Sequence, residues 1–293
     1  MKLSKLFSQG KPTLSFEVFP PKTGDAFDTV KSATHKIAEL HPDYMSVTYG
    51  AGGGTSAYTV DIASDLVHNY GVTALAHLTC VTSSKESIEQ QLKTIKDSGI
   101  QNILALRGDI PKDFVFNGKL HYRYAYELVE EIKKFGDFCI GGACYPECHP
   151  ESANSREDIK HLKEKVDSGC DFLTTQMFFD NNILYRFLYK IREAGISVPI
   201  VAGIMPVTNT NQIKRICALS GTALPQRFIS ILDRFGDNQE AIKQAGIAYA
   251  TEQVIDLLAN GVNAIHIYSM NKPEVAQKIQ ENLYGIIPSV TKG

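Results

Sequence analysis

The sequence predicts an α/β protein built as a (β/α)8 TIM barrel, and three observations carry that reading. Eight short β-type runs alternate with longer amphipathic stretches over 293 residues. The first seven runs start about 27 to 37 residues apart, which is the size of one βα unit. Most runs are nearly continuous in apolar residues, as parallel strands covered on both faces require. No low-complexity linker or composition shift divides the chain, so residues 1–293 are read as one domain. An open doubly wound sheet is the rival. Eight successive units without a Gly-rich nucleotide turn weigh against it.

The strand-like runs are TLSFEVF (13–19), YMSVTYG (44–50), TALAHLTC (73–80), NILALRGD (102–109), CIGGACYPE (139–147), FLTTQMFF (172–179), PIVAGIMP (199–206) and AIHIYSMN (264–271). The first is closed by Pro20 and Pro21, which cannot continue a ladder. Between the runs, AFDTVKSATHKIAEL, SAYTVDIASDLVHNY, SKESIEQQLKTIKDSG and REDIKHLKEKVDSG place apolar residues at three- and four-residue steps. Gly99 and Gly169 mark helix ends. The last interval is about twice the others and holds extra helical material: QIKRICALS, QRFISILDR and EAIKQAGIAYATEQVIDLLANG.

Composition narrows the function. A formal net charge of -2 with scattered basic residues gives no reason to expect nucleic acid or an anionic membrane as partner. No apolar stretch reaches the roughly 20 residues of a membrane span, and the N-terminus lacks a signal-peptide core. Six cysteines in a chain this long are not a disulfide framework; four lie in or beside strand-like runs, where Cys acts as a small hydrophobe. These features read as a reduced, cytoplasmic protein.

Barrel enzymes place their chemistry at the C-terminal ends of the strands. Those ends carry Glu17; Thr48 and Tyr49; His77 and Thr79; Arg107, Gly108 and Asp109; Tyr145, Glu147 and His149; Gln176; and Tyr268, Asn271 and Lys272. Each alone has a structural explanation, and their convergence at one end is the signal. Glu17, between Phe16 and Val18, is expected to sit in an apolar mouth with a raised pKa that suits a general acid. Arg107-Gly108-Asp109 could be a salt-bridged loop anchor, or a turn whose glycine lets a ligand approach the backbone. His77 could equally be a satisfied interior histidine. Cys144-x3-Cys148-His149 lacks a second pair of ligands, so no metal is expected. TYGAGGGTS (48–56) fails both the dinucleotide and the P-loop patterns and reads as a mobile active-site loop.

The blocks SFEVFPPK, SVTYGAGG, AHLTC, ALRGD, CYPECHPE, KVDSGCDFLTTQMFFD, GIMPVTN and HIYSMNK, in this order over about residues 13–284, resemble the bacterial-type methylenetetrahydrofolate reductases. The resemblance implies a barrel that binds FAD without a Rossmann domain. It implies reduction of 5,10-methylenetetrahydrofolate to 5-methyltetrahydrofolate by NADH or NADPH, in one-carbon metabolism and methionine supply. It implies ping-pong hydride transfer through flavin N5, with a proton on folate N5 to open the methylene bridge. Glu17 matches the family's acid, and Asp109 matches an aspartate between flavin and pterin. FAD binding falls to Thr48, His77, Arg107, Gly108, Asp109, Tyr124, Ala125, Ala143, Tyr145, His149, Asp158 and Lys165. Arg107 and Lys165 are expected counter-charges for the pyrophosphate, and Asp158 and Lys165, two helical turns apart, can face one ligand. Gln176, Tyr268 and Lys272, with Glu17, would meet folate. A homo-oligomer is expected.

Two positions depart from the family pattern. Thr210 stands where relatives carry a phenylalanine after the P-V-S-N turn, and Lys272 where they carry an arginine for the folate glutamyl tail. Lysine keeps the charge and loses the bidentate fork. With the chain ending at residue 293, no regulatory domain and no S-adenosylmethionine control are expected. A corrinoid- or thiol-dependent folate methyl transferase is a competing class, but it would need no flavin. A non-catalytic folate- or flavin-binding subunit is another, and it would need neither Glu17 nor Asp109.

Overall fold

The computed structural model describes residues 1–21, 26–49, 56–111 and 113–290, with side chains omitted at 56, 57, 289 and 290. Eight strands close a barrel in the order β1 to β8, every neighbouring pair parallel. They are β1 (Thr13–Val18), β2 (Tyr44–Val47), β3 (Ala74–Thr79), β4 (Asn102–Leu106), β5 (Cys139–Cys144), β6 (Phe172–Thr175), β7 (Ile200–Ile204) and β8 (Ala264–Tyr268). The helices are α1 (Leu3–Phe7), α2 (Phe27–Ala38), α3 (Ser56–Asn69), α4 (Lys85–Asp97), α5 (Ala125–Phe135), α6 (Ser155–Asp167) and α7 (Asn181–Glu193). Then come α8 (Thr210–Ser220), α9 (Gln226–Phe235), α10 (Gln239–Ala259), α11 (Pro273–Leu283) and α12 (Ile287–Val290). The closed sheet excludes the open doubly wound alternative. Among the described residues no helix is long and apolar enough to cross a membrane.

Each strand starts within a residue of its expected position but ends two to four residues early in most cases. The runs stay β-prone past the last barrel hydrogen bonds, so sequence pattern overshoots where pairing stops. The consequence is functional. Thr48, Arg107, Gly108, Asp109, Tyr145 and Gln176 sit in the first residues beyond their strands.

The period-2 alternation of the strands separates two cores. Leu14, Phe16, Val18, Met45, Val47, Ala76, Leu78 and Ile103 face outward and pack beneath the helices. Tyr44, Leu75, Leu104, Cys139, Phe172 and Val201 fill the barrel's N-terminal half. That half is closed by α1, which inserts Leu3 and Leu6 and donates the Leu3 N–H to Asn102 Oδ1 at 2.8 Å. The plug was not foreseen, because five residues are too few to show helical periodicity. A third cluster, including Met177, Phe179, Val207, Ile213 and Phe228, joins α8, α9 and α10 to the ends of β6 and β7. Gly99 and Gly169 follow α4 and α6 with φ of +72° and +126°, as expected of glycines past a helix end.

Candidate active site

Above the apolar half, the inward-facing residues turn polar and open into a cavity of about 880 Å³ at the C-terminal mouth. This lies in the upper part of the range of roughly 300–1,000 Å³ usual for small-molecule sites. Glu17, Thr48, His77, Arg107, Gly108, Asp109, Tyr124, Ala125, Ala143, Tyr145, His149, Asp158, Lys165, Gln176 and Tyr268 all line it. Of the candidates carried by the family resemblance, only Lys272 is outside the lining: its Nζ donates to Thr208 Oγ1 at 2.6 Å, beside α11. Three residues noted for their position leave the cavity. Glu147 Oε2 accepts from Ala223 N at 2.9 Å in the α8–α9 connection. Asn271 brackets Phe19, accepting from its N–H and donating to its carbonyl, both at 2.9 Å. Thr210 begins α8 and donates to Gly236 O at 3.2 Å. The loop reading of TYGAGGGTS falls mostly on 50–55, outside the described residues.

The setting of Glu17 differs from the apolar mouth expected for it. Phe16 and Val18, its chain neighbours, point away into the outer core. The side chain of Glu17, 18% exposed, points inward, where Oε2 lies 3.8 Å from His77 Nε2 and 3.9 Å from His266 Nε2. Both separations exceed a hydrogen bond, so the carboxyl keeps bonding capacity for a ligand. The strand itself is firmly set. Glu17 pairs with Ser46 of β2 and Tyr268 of β8, and its carbonyl accepts from Ser269 Oγ at 2.6 Å.

His77 is buried, and among the described residues its Nε2 has no hydrogen-bond partner. Burial lowers its pKa from 6.5 to about 4, the Glu17 carboxylate opposing and His266 reinforcing. The imidazole is therefore neutral at neutral pH. Because the folded pKa lies below the unfolded one, the unfolded chain binds more protons between about pH 6.5 and 4. Stability should fall as the pH drops through that window, by roughly 3 kcal/mol from this group at 1.36 kcal/mol per pKa unit. Urea unfolding across pH 4–7 checks this: His77→Gln should flatten the slope, and an unchanged slope would remove His77 as its source.

His266, which the strand-end reading passed over, sits one layer below. Its Nδ1 meets Ser15 Oγ at 2.7 Å and its Nε2 meets Ser46 Oγ at 3.0 Å, while its ring stacks on Tyr44. The histidine in A-I-H-I-Y was visible; that it shares a face with Tyr268 follows only once inward parity is known. Tyr268 donates to Thr175 O at 2.6 Å, and burial raises its pKa well above the ordinary value. Gly203 makes that bond possible, since a Cβ there would lie 2.5 Å from the Tyr268 hydroxyl.

On the opposite wall, α6 begins with Asn154 accepting from the Arg156 and Glu157 N–H groups, which fixes the helix that presents Asp158 and Lys165. Asp158 Oδ2 accepts from His149 N at 3.2 Å, and the His149 ring packs edge-on against Tyr145. Lys165 donates to Ala143 O, and burial lowers its pKa. Arg107 is engaged by Glu151, whose hydrogen bonds raise its pKa. Both expected counter-charges thus have protein acceptors. Gly108 has a φ of +86°, and a Cβ there would stand 3.0 Å from Thr79 Cβ, so both strain and crowding call for glycine. Among the described residues no cluster of His, Cys, Asp or Glu could hold a metal ion.

The sequence matches methylenetetrahydrofolate reductase across residues 2–284. It is 36% identical over 284 residues to 5,10-methylenetetrahydrofolate reductase of Pectobacterium carotovorum, covering 97% of this chain and 94% of that one. It is 35% identical over 282 residues to the Escherichia coli protein of the same name, covering 96% and 94%. With methylenetetrahydrofolate reductase (NADH) 1 of Arabidopsis thaliana it shares 37% identity over 295 residues, covering 96% of this chain and 50% of that one. The chain thus spans about half the length of the plant relative. In fold it is similar to an uncharacterized Clostridium thermocellum protein solved with two copies of 5-methyl-5,6,7,8-tetrahydrofolic acid, at a TM-score of 0.68 and 14% identity, covering 99% and 100%. By sequence match over nearly its whole length, the chain belongs to the methylenetetrahydrofolate reductase family.

Proposed function

We propose that residues 1–293, acting as one domain, reduce 5,10-methylenetetrahydrofolate to 5-methyltetrahydrofolate with bound FAD and with NADH or NADPH as reductant. The observation that carries this reading is Glu17, an acid set inside the barrel mouth whose Oε2 stands 3.8 and 3.9 Å from the nearest histidine nitrogens among the described residues. Family membership supports the reaction class.

The residues present fit a flavin dinucleotide. The cavity's lining includes both Glu17 on β1 and Lys165 on α6. His77 offers a buried nitrogen without a hydrogen-bond partner among the described residues, Gly108 a surface without a side chain, and Arg107 and Lys165 two cations facing one space. When bound, the flavin supplies the hydride chemistry, accepting from the nicotinamide and giving to the one-carbon unit.

What the chain's own residues do follows from the product. The methyl group stays on folate N5, so the bond that breaks runs from the bridging carbon to N10. The proton then ends on N10, which replaces the N5 placement implied by the resemblance. Glu17 is assigned as the group that delivers this proton, and its carboxylate then lies beside the two histidines. Hydride addition to the resulting N5 iminium carbon completes the methyl group. Asp109, exposed at the mouth, contributes charge where the pterin meets the cofactor. Gln176, whose Oε1 accepts from Met177 N at 3.0 Å, keeps its amide N–H groups for the pterin.

The purified chain should be yellow, and anaerobic NADH or NADPH should bleach it. A colourless chain that takes up no FAD on reconstitution would sink this reading. Asp109→Asn should retain FAD, weaken folate binding and slow folate reduction, each by about tenfold, one unit of lost charge interaction. Folate titration and turnover measure both effects; loss of FAD instead would displace Asp109 from its assigned role.

A further inference from the structure

The β5–α6 connection lays a carboxylate across a guanidinium that faces the cavity. Arg107 donates from Nη1 and Nη2 to the two carboxylate oxygens of Glu151, at 2.5 and 2.6 Å. Both residues line the cavity. This parallel fork is the geometry in which arginine holds either a carboxylate or a phosphate. Of its other N–H groups, Nε donates to Gly108 O at 3.3 Å. The Arg107 side chain is 21% exposed and that of Glu151 60%, so the pair lies at the rim with the arginine inside.

The loop that carries Glu151 is anchored by other groups. Glu151 N donates to His149 Nδ1 at 3.1 Å, Ser152 N donates to His149 O at 2.9 Å, and Ser152 Oγ donates to Asp158 Oδ1 at 3.0 Å. The Glu151 carboxylate can therefore leave Arg107 by side-chain rotation while the loop stays in place. Arg107 is likewise fixed from behind, since its carbonyl accepts from Cys80 N and Val81 N at 3.2 and 2.9 Å. A second anion entering the cavity meets an arginine already aimed and already occupied.

We propose that Glu151 is a displaceable carboxylate that holds Arg107 until a diphosphate-bearing ligand takes its place. Flavin affinity is then set partly by competition for one guanidinium. The inference rests on the flavin reading above and adds a residue that opposes binding. Ion pairs this exposed are worth up to about 1 kcal/mol, so releasing Arg107 should tighten binding about fivefold. The effect belongs to the phosphates alone, because the isoalloxazine ring makes no demand on Arg107.

The test titrates the full chain, freed of flavin, with FAD and separately with riboflavin, following flavin fluorescence. Glu151→Gln should tighten FAD about fivefold and leave riboflavin affinity unchanged. Glu151→Ala should do the same, which guards against a residual glutamine bond to Arg107. Unchanged or weaker FAD affinity in both variants, or an equal shift for FAD and riboflavin, overturns the placeholder role while leaving the flavin reading standing. An unmodified chain that binds neither flavin overturns the flavin reading itself, and this inference with it.

Discussion

Glu17→Gln is expected to leave reduction by NADH or NADPH within about twofold and to slow the folate half-reaction about 100- to 10,000-fold, the usual span for a lost general acid. Glutamine nearly matches glutamate in shape, so the side chain should keep its place near His77 and His266. What it loses is a proton that can be given away. In the proposed reaction the nicotinamide step needs no proton from this position, whereas opening of the C–N10 bond does. Anaerobic mixing of each half-reaction separates the two. Equal damage to both would mean that Glu17 supports the site's architecture instead of its chemistry.

Gly246→Ala is expected to cost about 3 kcal/mol or more of stability, at the upper end of overpacking effects. Gly246 lies inside α10, where alanine should favour the helix by roughly 1 kcal/mol. The contact outweighs that preference. A Cβ at this position would stand 1.7 Å from Val207 O and 2.7 Å from Val207 C, and backbone cannot step aside as a flexible side chain can. The glycine lets α10 lie against the segment after β7, whose next residue, Thr208, receives Lys272 Nζ. Urea unfolding gives the cost. A change below about 1 kcal/mol would mean that the helix shifts cheaply and that this approach is not a constraint.

The barrel was legible because its evidence is periodic. Apolar runs of strand length, repeated at the spacing of a βα unit, leave few other architectures, and the extra helices before β8 stood out as one double-length interval. Strand ends were less legible, since residues such as Thr48 and Tyr49 favour β structure by propensity yet lie past the end of β2 at Val47. Candidate residues reach the cavity as expected where a side chain's position along a strand was enough, as with Glu17, His77 and Tyr268. They fared poorly where the answer depended on which way a loop turns. Glu147 and Glu151 lie four residues apart in C-Y-P-E-C-H-P-E. One leaves for Ala223 and the other crosses to Arg107, 44 positions away in the chain. Nothing in the local pattern distinguishes them. The inward parity that surrounds Glu17 with histidines instead of Phe16 and Val18 was available in principle, as a consequence of period-2 alternation.

The most direct measurement is anaerobic stopped-flow of the unmodified chain through both half-reactions, with NADH and NADPH as alternative reductants. Bleaching of the flavin band by a nicotinamide, followed by its return on mixing with 5,10-methylenetetrahydrofolate and formation of 5-methyltetrahydrofolate, is the predicted result. A reduced chain that is not reoxidised by that folate, or a chain with no flavin band to follow, would contradict the account.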